Sequence, residues 1–119
     1  MAYPGVDIIE IERFRSAWER QPRLCARLFT ARELEELACK GIQSYAARFA
    51  GKEAILKALG TGLKGLSWHD VEILCRESGE PYVCLSERGQ ELLVVRGGTE
   101  VRVSLAHNRD QAIALAILE

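Results

Sequence analysis

The sequence predicts an α+β fold, with helices early and strands late. Three observations carry this. The chain has 119 residues and no linker, repeat or low-complexity stretch. It therefore reads as one domain, 1–119, able to bury a core without metal or disulfide staples. Its apolar pattern keeps a helical period to about residue 59 and then alternates, as in strands. Gly60-Thr-Gly62, Gly79-Glu-Pro81 and Gly97-Gly98 punctuate the second half as turns.

In chain order, Val6-Asp7-Ile8-Ile9 reads as a short apolar strand interrupted by one acid. Ile11 to about Glu19 reads as a helix, and Pro22 forces a break or a new start. Thr30-Ala-Arg-Glu33 has the form of a capping box, so a helix begins near Ala31. Tyr45 to Leu59 is the longest helical pattern, with Phe49, Leu56 and Leu59 as candidates for its buried side. Gly60 and Gly62 close it, because glycine tolerates the left-handed conformation that ends helices. Val71 and Ile73 alternate with Asp70 and Glu72 as a half-buried strand. The Gly79–Pro81 turn leads into a strand at 82–85. Ser86 can cap a helix running to about Arg96. Val101–Ala106 and Gln111–Leu118 read as antiparallel strands joined at His107-Asn-Arg-Asp110. In the last strand Ile113, Leu115 and Ile117 alternate with Ala112, Ala114 and Ala116. Both faces are apolar and one is lined by small residues, so close packing by a helix is expected on one face, with a neighbouring subunit nearby.

Net charge is −1, which argues against a general nucleic-acid binder. No apolar run approaches the roughly 18 residues of a membrane span. Cys25, Cys39, Cys75 and Cys84 show no metal-ligand spacing and read as free thiols of a reducing cytoplasm. The charge is uneven, however. Six arginines (13, 15, 20, 23, 27 and 32) and one acid, Glu19, fall between Arg13 and Arg32. Such a patch on a nearly neutral chain suits an acidic partner surface, and equally a solvated helical face.

Glu53 and Lys57 stand four residues apart and share one helical face. They fit an ordinary surface ion pair, worth about 0.2–0.5 kcal/mol. They also fit half of a site that holds a divalent metal and a phosphate. Arg48 and Lys52 add basic density suited to a polyphosphate. Asp7 has two readings as well. Asp7-x-x-Glu10 fits a capping box, while a carboxylate on a rigid element is a hard oxygen ligand suited to Mg²⁺. Gly60-Thr-Gly62-Leu-Lys64-Gly65 matches GxGxxG but follows a helix and precedes a strand, which excludes the dinucleotide fingerprint. His107, at the end of a strand, reads as an exposed turn residue.

The combination is more specific than its parts. Gly5-x-Asp7, then Phe49-Ala-x-Lys-Glu53-Ala-x-x-Lys57-Ala-x-Gly60-Thr-Gly62, then Ser104-x-x-His107 occur in that order. Phe29-Thr-x-x-Glu33-Leu and Trp68-x-Asp70 support them. Over essentially its whole length the chain resembles the holo-acyl-carrier-protein synthase family of 4′-phosphopantetheinyl transferases. One departure is Gly51, where many relatives carry alanine. It costs helix propensity of about 1 kcal/mol.

The resemblance implies that family's fold: early helices packed on a mainly antiparallel sheet, assembled as a trimer with active sites between subunits. It implies transfer of the 4′-phosphopantetheine arm of coenzyme A to a serine of apo acyl carrier protein. Adenosine 3′,5′-bisphosphate is the other product, and fatty acid biosynthesis is the setting. Asp7 and Glu53 would bind Mg²⁺, and Lys57 would add positive charge at the diphosphate. Arg48, His107 and Asn108 would bind the nucleotide end. The serine proton would go to Glu53 or to a metal-bound water. Arg13, Arg20, Arg23 and Arg27 would meet the acidic carrier protein.

Overall fold

The computed structural model describes residues 2–119. The order is β1 (Tyr3–Glu10), α1 (Ile11–Arg20), α2 (Leu24–Leu28), α3 (Ala31–Leu37) and α4 (Ile42–Leu59). A 3₁₀ turn (Trp68–Asp70), β2 (Val71–Cys75), β3 (Pro81–Leu85), α5 (Glu87–Val95), β4 (Val101–His107) and β5 (Gln111–Leu118) follow. The α+β expectation holds. The strands form two antiparallel sheets, one ordered β1-β5-β4 and one β2-β3. The first strand of the chain therefore pairs with the last. Among the described residues no helix is long and apolar enough to cross a membrane.

Local signals placed several boundaries correctly. Thr30 Oγ1 accepts from the Glu33 amide at 3.2 Å, and Glu33 Oε1 accepts from the Thr30 amide at 2.9 Å. Ser86 Oγ accepts from the Gly89 amide and caps α5. Gly60 closes α4 at φ +79°. Other expectations are corrected. Helix α4 begins at Ile42, with Gly41 as N-cap, rather than at Tyr45. Asp7 is not a cap: it lies within β1, and Glu10 holds the N-cap position of α1 without a side-chain bond.

Helix α4 is buried on nearly every side, so it has no single apolar stripe. It lies on the face of β5 that carries Ala112, Ala114 and Ala116, all buried. Gly5 of β1 sets the separation on that side. A β-carbon there would stand 2.0 Å from the Ala54 carbonyl oxygen and 2.8 Å from the Ala58 nitrogen. Gly51 has a packing reason that propensity conceals. A methyl at that position would lie 2.7 Å from Ile73 Cδ1 and 2.8 Å from Leu105 Cδ2. Side chains from both sheets occupy the space that glycine leaves.

Among the described residues, nothing covers the opposite face of the three-stranded sheet at its centre. Val6 (54% exposed) pairs with Leu115 (46%), and Ile8 (57%) pairs with Ile113 (43%). Directly paired residues share a face, so these four form one apolar patch.

Beneath the other side of α4 lies a fully buried ion pair, Lys52 with Glu33. Lys52 Nζ meets Glu33 Oε1 at 2.6 Å and donates to the carbonyls of Leu28 (2.5 Å) and Trp68 (3.1 Å). Glu33 Oε2 accepts from the Ile73 amide at 2.8 Å. Burial lowers the Lys52 pKa, and Glu33 pulls it back up. Lys52→Met would leave the Glu33 carboxylate buried without its counter-ion, a loss of about 3–5 kcal/mol. Urea unfolding should show that loss in Lys52→Met. A midpoint within error of wild type would contradict the assignment.

Candidate active site

Residues directly opposite in a sheet point to the same side, and Asp7 pairs with Ala114, which faces α4. That register aims Asp7 at the helix, where Glu53 and Lys57 stand one turn apart. Lys57 Nζ donates to the Val6 carbonyl at 2.8 Å and to Asp7 Oδ1 at 3.1 Å. The simple Glu53–Lys57 pair is thus replaced by a cluster of three with Asp7 at its centre. Burial and the charge of the neighbouring Asp7 carboxylate raise the Glu53 pKa to about 7, against a smaller opposing pull from Lys57. Among the described residues, Asp7 Oδ2 is buried and has no hydrogen-bond partner.

An orphaned carboxylate oxygen beside a carboxyl group that resists ionisation is costly in itself. A hard divalent cation would remove both costs by accepting Oδ2 and letting both groups ionise. The donor set therefore fits Mg²⁺. No group of three or more His, Cys, Asp or Glu residues gathers as a metal cluster among the described residues. Two protein carboxylates leave most of the coordination to water and substrate oxygens, as Mg²⁺ prefers.

Glu53 and Lys57 line a cleft of about 550 Å³ with Leu56, Gly60, Gly62, Leu63 and Trp68. A slightly larger groove of about 570 Å³ lies between β3 and β4, but neither Asp7 nor Glu53 lines it. That Trp68 and Leu63 wall this cleft was not legible in the sequence, because both lie beyond the end of α4, where no helical period places them.

Arg48 requires a correction. It is buried, and Nη1 donates to Glu36 Oε1 at 2.8 Å and to the Ile73 carbonyl at 2.9 Å. Nη2 approaches Cys75 Sγ at 3.5 Å. Arg48 braces β2 and α3 and does not face the cleft. Lys52, also expected near phosphate, is the buried partner of Glu33.

His107 and Asn108 are exposed at the end of β4. Strand β5 separates β4 from β1, so two strand spacings, about 10 Å, part His107 from the β1 edge. One chain does not bring His107 to Asp7. Asn108 Oδ1 accepts from the amides of Asp110 and Gln111 and shapes the turn. Arg13, Arg20, Arg23 and Arg27 are exposed and have no acidic partner among the described residues, whereas Arg15 and Arg32 pair with Glu12 and Glu72. Arg13 borders an apolar groove of about 380 Å³ between Ile8, Phe14, Leu24, Leu28 and Phe49.

A family model for the 4′-phosphopantetheinyl transferase superfamily matches residues 3–116. The chain belongs to that superfamily. A holo-[acyl-carrier-protein] synthase of Desulforudis audaxviator is 48% identical over 118 residues, covering 95% of this chain and 88% of the relative. Among solved structures, the synthase of Neisseria meningitidis superposes with TM-score 0.90 at 28% identity, over 98% of this chain and 97% of that one. The Helicobacter pylori synthase in complex with coenzyme A gives 0.86 at 29% identity, over 98% and 99%. The superfamily makes the chain a transferase, as the sequence motifs implied.

The raised Glu53 pKa has a measurable consequence. Between its ordinary value of 4.5 and about 7, the folded protein holds the Glu53 proton more tightly than the unfolded chain does. Stability should therefore fall as pH rises through that window. Calorimetry in chelator should show a smaller loss of Tm between pH 5 and pH 8 for Glu53→Gln than for wild type. Equal losses would contradict the clustered geometry.

Proposed function

We propose that the chain transfers the 4′-phosphopantetheine arm of coenzyme A to a serine of apo acyl carrier protein. The observation that carries this is the Asp7–Glu53 carboxylate pair, with its orphaned oxygen, set beside Lys57 at the cleft. The relatives' names and the coenzyme A complex of the Helicobacter pylori protein agree with it.

In the reaction the serine oxygen forms a bond to the phosphorus that bears pantetheine. The bond from that phosphorus to the oxygen of the 5′-phosphate breaks, and adenosine 3′,5′-bisphosphate departs with the electron pair. Positioning and charge neutralisation dominate such transfers. Asp7 and Glu53 would hold Mg²⁺, which supplies positive charge to the diphosphate. Two ionised carboxylates would otherwise repel that diphosphate, so the pair makes chemical sense only with cations present. Lys57 is one of them, and it belongs to the same cluster. Glu53 lines the cleft and can accept the serine proton.

Arg13 borders the apolar groove, and with the exposed Arg20, Arg23 and Arg27 of the same segment it suits an acidic helix with apolar anchors. Their effect falls on encounter and on salt sensitivity. The Val6–Ile8–Ile113–Leu115 patch supports a homotrimer. In it His107 and Asn108 of a neighbouring subunit would complete the nucleotide side of the cleft. The four free thiols and the substrate fit a cytoplasmic enzyme of fatty acid biosynthesis.

Mass spectrometry of an apo carrier protein incubated with coenzyme A, Mg²⁺ and the enzyme tests the reading. Addition of the phosphopantetheine arm is expected. Coenzyme A cleavage without addition would indicate a hydrolase, and binding without chemistry would indicate a docking module. Asp7→Asn and Glu53→Gln should each lower turnover by about 10²–10³-fold. Normal Mg²⁺-dependent transfer in both would remove the metal assignment. Arg13→Glu with Arg20→Glu should raise KM for the carrier protein at low salt and leave kcat in place.

A further inference from the structure

Arg96 has no place in the chemistry described above, yet its side chain sits in an unusual setting. It follows α5, and its amide donates to the Leu92 carbonyl at 3.0 Å. Its guanidinium carbon lies 3.7 Å from the centre of the Tyr3 ring. Gly60 also meets the guanidinium. A β-carbon built there would stand 2.9 Å from Cζ, 3.0 Å from Nη1 and 3.1 Å from Nη2. Those nearly equal distances mean that the flat group lies face-on to Gly60. Its Nε is buried without an acceptor among the described residues. Among the described residues the guanidinium is therefore held by packing on an aromatic ring and a glycine backbone, and little by its edges.

Its location is as informative as its packing. Gly60 is the left-handed residue that ends α4, where unpaired carbonyls carry the negative end of the helix dipole. A cation packed there is favoured, and only a residue without a side chain leaves it room. Gly60 and Gly62 both line the cleft that holds Glu53 and Lys57. The two glycines differ in what lies behind them. Nothing comes within 4 Å of a β-carbon position at Gly62, whereas Gly60 is backed by Arg96. The turn is open toward a ligand at one glycine and braced at the other. Arg96 itself does not line the cleft.

We infer that Arg96 is a positioning residue: stacked on Tyr3, it clamps the Gly60-Thr61-Gly62 turn in the shape that receives the substrate. The functional half of this rests on the reading that the cleft takes coenzyme A. The clamp itself rests only on the packing. It connects β1, the end of α5 and the end of α4 at a point behind the cleft wall. Removing it should loosen the turn and weaken ground-state binding without touching the groups at the reacting phosphate.

Hydrogen exchange and steady-state kinetics on the full chain test both halves. Arg96→Met keeps the length of the side chain and removes its flat charged group. Amides 61–65 should exchange about tenfold faster in this variant, while those in the middle of α4 and in β5 keep their protection. KM for coenzyme A should rise about tenfold with kcat within about twofold of wild type. Tyr3→Leu should give the same pattern, the double variant little more than either single, and Tyr3→Phe none of it. Unchanged exchange at 61–65 would overturn the clamp. So would a loss of protection throughout α4 and β5, or a fall in kcat at constant KM. Were the wild type inactive on coenzyme A, the reading of the cleft would fall, and the exchange rates would still decide the clamp.

Discussion

The close approach of β1 to α4 is the constraint on which the rest depends. Gly5 permits it, since any side chain would meet the backbone of Ala54 and Ala58. The alanine face of β5 continues the same thin layer. Two residues beyond Gly5, on the same face of the strand, Asp7 comes against the helix where Glu53 and Lys57 stand. A wider helix–sheet spacing would dissolve the cluster into separate, solvated charges. The small residues of this fold are thus the means by which two like charges are forced together. The raised Glu53 pKa and the orphaned Asp7 oxygen are the consequences.

The Lys52–Glu33 pair performs the complementary task on the far side of α4. One ammonium binds the carbonyl of Leu28, which borders the apolar groove, and that of Trp68, which borders the cleft. Glu33 fixes β2 through the Ile73 amide and its own helix through Thr30. Both walls against which partners would bind are tied to one buried charge. Buried pairs of this kind seldom add much net stability, yet they specify a single arrangement when every partner is satisfied. Arg48 with Glu36 extends the same tie along β2.

What was legible in the sequence follows from the range of each signal. The Thr30 and Ser86 caps and the Gly60 helix end are local, and each was placed from a few residues. Asp7 was ambiguous because its partner strand lies more than a hundred residues on, and a cap and a strand carboxylate look alike in isolation. Arg48 and Lys52 were misread for a different reason. A helix buried on nearly all sides has no amphipathic stripe, so its periodicity does not say which basic residues turn inward. The role of Gly51 was invisible because the side chains that fill its space come from β2 and β4. Asp7, Glu53 and Lys57 were joined in advance only by the ordered motifs of a family, and the register of β1 on β5 supplies the physical cause.

The most direct measurement is the anomalous diffraction of Mn²⁺ in crystals grown with coenzyme A. If the β1–α4 approach builds a cation site, one peak should lie between the carboxylates of Asp7 and Glu53. The coenzyme's diphosphate should touch it, with Lys57 alongside. A peak elsewhere, or a diphosphate bound away from these residues with no metal between them, would contradict the account.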